Sequence, residues 1–236
     1  MNALNCPNCG AAMPAYSAKA EVVSCDFCGT SFRLSNTFTP EPDMGDLLLG
    51  ADFGNRIMPG WEVVNEDKLT FHKGSPSELR GRFAPQVNSY YALKSSGLLD
   101  NFDASVSIKF TEGDKEWIRA GFYTRFTPAG GYGFMVSAQA SYVFGSFVKD
   151  EKGELVFQKM MAWAYHSALK PGLNINNRLR VMCNGDSFRV YLNGVLAGSF
   201  KDSKFALGKL HLAVEPSAKS TMEIAFSDLQ LREVPK

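Results

Sequence analysis

From Ala51 onward the apolar residues recur with a period of two, and no segment shows the 3.6-residue period of a helix. That feature restricts most of the chain to β-structure, because only an extended strand sends successive side chains to opposite faces. The clearest run is Phe102, Ala104, Val106, Ile108 and Phe110, alternating with Asp103, Ser105, Ser107 and Lys109. The run from Trp117 to Arg125 buries Ile118, Ala120 and Phe122 in the same way. Asn184-Gly185 and Asn193-Gly194 interrupt alternating stretches, and Asn-Gly favours the type I′ turn of a two-residue hairpin. Residues 178–200 therefore read as a three-stranded meander, with Leu179, Val181, Phe188, Val190 and Leu192 inward and Arg178, Arg180, Arg189 and Tyr191 outward. Further strands are predicted near 61–64, 68–72, 89–95, 131–138, 141–149, 154–162, 209–214 and 222–231. About fourteen strands are enough for two packed sheets, so the fold class is all-β, an antiparallel β-sandwich or jelly roll.

The N-terminal segment is organised around cysteines. Cys6-Pro-Asn-Cys9-Gly10 and Cys25-Asp-Phe-Cys28-Gly29 are separated by fifteen residues, within the spacing of a four-thiolate zinc site. Each C-x-x-C turn aims two sulfurs at one centre, and the glycine after it lets the backbone turn back toward the thiolates. Paired disulfides would require an oxidising compartment, whereas the opening MNALNCPNCG has no basic segment followed by an apolar one. Four thiolates leave no open coordination position, so Cys6, Cys9, Cys25 and Cys28 are expected to hold structural Zn2+ rather than a catalytic ion. Residues 21–24 and 30–34 read as the strands of a hairpin. The segment from 4 to 34 resembles a rubredoxin-type zinc ribbon, too small to fold without its metal. The fifth cysteine, Cys183, follows Leu179 and Val181 in phase and is expected to be a buried apolar residue.

Ser35 to Gly45, with two prolines and two acidic residues, has the composition of an extended connector. The expected organisation is a zinc ribbon over 1–34, a linker over 35–50 and a β-sandwich over 51–236. In a chain of 236 residues, 45% hydrophobic content with 18 Phe and 8 Tyr is ample for a packed core. Formal net charge is only +1, which gives no support to nucleic acid as a partner, since phosphate binding draws on a basic excess. The uncharged stretch from Phe126 to Val148 contains Pro128, Gly130, Gly131, Gly133 and Gly145, too polar and broken for a membrane span. A cytoplasmic protein is expected.

A second resemblance lies in the large domain. Ala51-Asp52-Phe53 with Gly60-Trp61, Gly97-Leu98-Leu99 before Phe102, Ala120-Gly121-Phe122 followed by Gly131-Tyr132-Gly133-Phe134, and Asn177 to Val181 running into Tyr191-Leu192-Asn193-Gly194 carry it. Gly208 to Leu212 and the run from Ile224 to Leu229 complete it. Together they are similar to a concanavalin A-like lectin/glucanase domain of the laminin-G-like type, and the likeness implies fold far more strongly than function. The resemblance also implies a place to look for catalytic carboxylates, alternating along one strand as Glu-x-Asp-x-x-Glu or, in the shorter spacing, Glu-x-Asp-x-Glu. Glu112, Asp114 and Glu116 match that spacing, and retaining hydrolysis uses two carboxylates about 5 Å apart. The intervening Gly113 and Lys115, however, give Thr111–Glu116 the composition of an exposed turn. No G-x-S-x-G, phosphate-binding glycine loop or H-E-x-x-H is present, and His72, His166 and His211 lie on separate segments.

What remains is an outward-facing set suited to polar ligands: Trp117, Arg119, Tyr123 and Arg125, extended by Arg189, Tyr191 and His211. Aromatic faces stack on sugars or peptides, and Arg forks supply paired hydrogen bonds. The expected function is a non-catalytic binding protein that recognises a glycan or protein surface, with the zinc ribbon as docking module. The alternatives are a glycoside hydrolase acting through Glu112 and Glu116, and a nucleic-acid-associated factor acting through the ribbon.

Overall fold

In a computed structural model of the chain, residues 6, 9, 11–12, 22–33, 42–55, 58–86 and 89–235 are described. Gly10, Leu34 and the connector up to Glu41 lie outside them. The N-terminal hairpin is formed by β1 (Val22–Ser24) and β2 (Ser31–Arg33), and it is followed by β3 (Leu47–Gly50), β4 (Trp61–Val63), β5 (Leu69–His72), β6 (Glu78–Phe83) and β7 (Tyr90–Ser95). The long strands are β8 (Phe102–Glu112), β9 (Arg119–Thr127), β10 (Gly130–Ser137), β11 (Ser141–Lys149) and β12 (Leu155–His166). The meander is β13 (Asn176–Asn184), β14 (Ser187–Leu192) and β15 (Val195–Lys201), and β16 (Lys209–Glu215) and β17 (Met222–Arg232) close the chain.

These strands form an all-β sandwich of two antiparallel sheets. One has nine strands in the order β1-β2-β12-β11-β10-β9-β16-β7-β4, and the other has eight counting β3, in the order β15-β14-β13-β8-β17-β6-β5 with β3 beside β17. The alternation explains the core. Phe102, Val106 and Val181 from one sheet meet Phe122, Phe134 and Phe144 from the other, all fully buried. The Asn193-Gly194 turn takes positive φ at both residues, +48° and +82°, as a type I′ hairpin requires.

Three departures from simple alternation position the surfaces. Leu47–Gly50, inside the span read as linker, is a strand paired with Gln230–Arg232 of β17. Before it, residues 42–46 cross the outer face of the eight-stranded sheet, where Arg180 Nη1 donates to the Pro42 carbonyl at 2.9 Å and Arg232 Nη1 to the Gly45 carbonyl at 2.9 Å. The hairpin β1–β2 joins the nine-stranded sheet through a parallel pairing, Tyr165 with Phe32 and His166 with Arg33.

Candidate functional site

The side of the nine-stranded sheet that faces away from the core carries an aromatic band. Tyr123 on β9, Met135 on β10, Val143 on β11 and Ala213 on β16 are buried there, under and between Tyr91, Phe126, Phe147, Phe157 and Trp163. Ring centroids follow one another at 4.9 Å from Phe157 to Phe147, 4.6 Å to Tyr123 and 5.3 Å to Phe126. From Phe126 the band continues to His211 at 5.4 Å and Tyr91 at 4.8 Å. Gly133 makes room for it: a Cβ at that position would stand 2.9 Å from Phe147 Cε2 and 3.2 Å from Phe157 Cε2. Rings at these separations favour tilted and edge-on packing. Tyr91, Phe126, Phe147, Phe157 and Trp163 are half-buried and leave part of their surface to solvent, whereas Tyr123 and His211 are buried among them.

Polar groups lie on two sides of the band, at the two ends of β16 (Lys209–Glu215). At one end Tyr123 Oη donates to Glu215 Oε1 at 2.8 Å, so Ser89 Oγ, 2.9 Å away, donates to Tyr123 Oη. Arg119 Nη1 lies 3.5 Å from Glu215 Oε2, and its guanidinium sits 4.7 Å over the Trp163 ring. Burial, followed by the Glu215 charge, pushes the Tyr123 phenol well above its ordinary range, so it is a hydrogen-bond donor at all physiological pH values. At the other end Glu62 accepts from Lys209 at 2.7 Å and Lys94 at 2.9 Å, and these hydrogen bonds hold its carboxyl down at about 2. Beside it, burial and the two ammonium groups push His211 down to about 4, and its Nδ1 has no partner among the described residues.

The residues singled out in the sequence separate into three groups. Arg119 and Tyr123 stand at the polar end of the band. Trp117 lies in the turn before β9, 45% exposed, with Lys219 Nζ 5.8 Å over its ring. Arg125 is a correction: at φ +48°, beside a register shift in the β9–β16 pairing, its side chain turns into the protein and is 1% exposed. Such a bulge re-aims the side chain it carries. There the guanidinium donates to the carbonyls of Asp100 at 2.9 Å and Gly185 at 2.8 Å. Arg189 and Tyr191 are a second correction, because β14 belongs to the eight-stranded sheet and neither residue shares a face with Arg119. Tyr191 is 2% exposed, with the Arg180 guanidinium 5.3 Å over its ring. Glu215, Trp163, Ser89 and Tyr91 are the site residues that sequence reasoning missed. The outward phase of 89–95 was the available signal for Ser89 and Tyr91, whereas Trp163 and Glu215 lie just past the strands predicted at 154–162 and 209–214, and nothing local says which strands become neighbours.

The carboxylates matched to a catalytic strand are elsewhere. Glu112 ends β8 in the eight-stranded sheet, 3.5 Å from Arg82 Nη1. Glu116 is exposed in the 115–117 turn, its amide donating to Asp114 Oδ1 at 3.1 Å. This is the exposed turn that Gly113 and Lys115 predict.

Cys6, Cys9, Cys25 and Cys28 form one cluster, their sulfurs all within 4.8 Å of one another. Cys6 Sγ and Cys28 Sγ are 3.6 Å apart and Cys9 Sγ and Cys25 Sγ 3.7 Å, too far for disulfides and close to the ~3.8 Å edge of a tetrahedron with 2.3 Å metal–sulfur bonds. The residues fit a four-thiolate metal site. Cys183 is fully buried, and desolvation raises its thiol to about 12, which makes it inert.

No protein family and no curated protein matches the chain by sequence. Solved structures do match in fold. The carbohydrate binding module CBM66 from Bacillus subtilis is 20% identical, with a TM-score of 0.55 over 74% of this chain and 96% of that one. A family 16 glycoside hydrolase endo-glucanase from Bacteroides ovatus is 10% identical, with a TM-score of 0.55 over 78% of this chain and 100% of the other. The Bacillus licheniformis β-glucanase is 12% identical, with a TM-score of 0.52 over 79% and 99%. The fold is a concanavalin A-like jelly roll. The expectation that the chain is not an enzyme is corrected by the same finding: several structures sharing this architecture are glycoside hydrolases, so the fold gives no ground for denying it catalysis. No helix among the described residues is long and apolar enough to cross a membrane.

Proposed function

We propose that the chain is a carbohydrate-active protein that takes a glycan on the outer face of its nine-stranded sheet. The single observation that carries this reading is the aromatic band ending in the Arg119–Glu215–Tyr123 group. Rings half-open to solvent stack on the apolar faces of sugar rings, and a paired Arg and Glu beside them bond hydroxyl groups from both sides. The likeness to a carbohydrate binding module and to glucanases supports the ligand class, and a soluble β-glucan is the first probe. Affinity electrophoresis tests it. The parent is expected to be retarded by glucan, and Arg119→Ala and Trp163→Ala are each expected to lose most of the retardation while melting as the parent does. If both variants migrate like the parent, this face is not the site.

A second reading, cleavage of the bound glycan, is favoured by the glucanases among the similar structures. Glu112 and Glu116 do not support it, since one is held by Arg82 and the other stands in an exposed turn. Of the carboxylates at the aromatic face, Glu62 is held between Lys94 and Lys209 and Glu215 stands beside Arg119 and Tyr123, and release of reducing ends by the parent but not by Glu215→Gln would assign Glu215. Four cysteines at tetrahedral spacing, with sulfurs too far apart for disulfides, support Zn2+ in the cluster and a reducing, cytoplasmic setting. The ion would be structural: Cys6, Cys9, Cys25 and Cys28 would hold it, and its closed coordination would supply folding free energy to the hairpin.

A further inference from the structure

The metal site and the aromatic face share a strand. β12 runs along the outer edge of the sandwich, and its last residues, Tyr165 and His166, pair with β2 of the cysteine hairpin. Tyr165 packs against Cys6 and Cys25, and its hydroxyl donates to Gln139 Oε1 at 2.9 Å, tying the end of β12 to the β10–β11 turn. Two residues earlier, Trp163 lies beneath Arg119, which in turn approaches Glu215. The cysteines thus pack on Tyr165, Trp163 lies two residues back on the same strand, and Arg119 stands over Trp163.

We infer that the metal held by the four cysteines sets the geometry of the glycan face from a distance, by fixing the end of β12. The described strands of the hairpin are three residues each, too short to persist without the metal. Without it, Tyr165 and His166 lose their strand partner, Tyr165 loses the sulfurs it packs on, and the edge that β12 already presents before Tyr165 extends to the end of the strand, free to fray toward Trp163. The metal touches no sugar, and its effect is a coupling between two sites. By linkage the coupling is reciprocal, so bound glycan must tighten metal retention by the same factor by which metal tightens glycan.

The ligand side of this inference rests on the glycan reading, whereas the strand side does not. The experiment uses the full chain, loaded with Zn2+ or stripped by a chelator, and reads amide hydrogen exchange over residues 161–166 together with β-glucan affinity. Stripping is expected to abolish protection in 161–166, to leave the core strand β8 protected, and to weaken glucan about tenfold, within the usual range of coupling between two sites. A titration of metal with and without glucan is expected to return the same factor. Unchanged exchange on stripping overturns the inference, and so does lost protection with unchanged glucan affinity. If the loaded parent binds no glycan, the glycan reading fails instead, and the inference is then decided on exchange alone. Tyr165→Ala with metal bound separates the two links, with lower glucan affinity expected and metal affinity nearly intact. Parent-like glucan binding by that variant would overturn the route through Tyr165.

Discussion

The outer faces of the two sheets come from the same alternating pattern and end as opposites. On the nine-stranded sheet the outward positions of β10 and β11 carry Gly133 and Gly145, and the space is filled by the rings of Phe147 and Phe157. On the eight-stranded sheet the outward positions are occupied by ions. Arg180 holds both oxygens of Asp103 with neither residue more than 2% exposed, Arg178 reaches Asp228 at 2.9 Å, and Glu78 joins Lys109 to Arg80. Residues 42–46 then lie across the Arg180 pair. One face is closed by charge pairing and a backbone strap, and the other is left with aromatic surface that only a ligand or partner would cover. A jelly roll can thus close one of two chemically similar wet faces and leave the other open, and the ions mark the closed one.

The largest expected effect comes from breaking the closed face. Arg180→Leu leaves Asp103 buried without its partner and is expected to cost roughly 3–5 kcal/mol in urea denaturation. Adding Asp103→Leu should recover most of that, and a double variant as unstable as the single one would deny that the unpaired charge is the cause. On the open face the corresponding liability is His211. Its imidazole is lowered to about 4 when folded, so the unfolded chain binds the extra proton first as pH falls. Stability is therefore full above pH ~6.5 and falls as pH drops toward 4, by up to about 3 kcal/mol, and His211→Gln should flatten that part of the profile. Gly133→Ala forces the Phe147 and Phe157 rings apart and is expected to cost about 1–2 kcal/mol, with glucan retardation falling as well. Smallest of all is Arg82→Ala. It removes an exposed pairing with Glu223 and Glu112, is expected to move the melting free energy by less than about 1 kcal/mol, and should leave glucan binding untouched.

Much of the fold was legible before any coordinates. The β8 alternation from Phe102 to Phe110, the Asn193-Gly194 hairpin and the two C-x-x-C turns appear where their local chemistry puts them, while the first hairpin turns one residue later than Asn184-Gly185, at Gly185-Asp186 between the paired Asn184 and Ser187. The candidate site was legible only in part. Arg119, Tyr123 and Trp117 were found because they follow one another on and before a single strand. Arg125 was misread because one residue of bulge reverses the phase, and a bulge depends on the partner strand β16 rather than on the residues around Arg125. Arg189 and Tyr191 were grouped with the others on phase alone, which records inward or outward but not which sheet.

By itself, then, the sequence determined most of what is set within one strand or turn: its period, its hairpin reversals and the spacing of its paired cysteines. Those are short-range, fixed by backbone sterics and by side chains a few residues apart. The tertiary structure decided which strands stand side by side, and so brought Glu215 to Tyr123, Trp163 to Arg119 and the cysteine hairpin to β12. Strand order is chosen by the total burial of the packed sheets, a sum over residues far apart in the chain, and no local pattern encodes it.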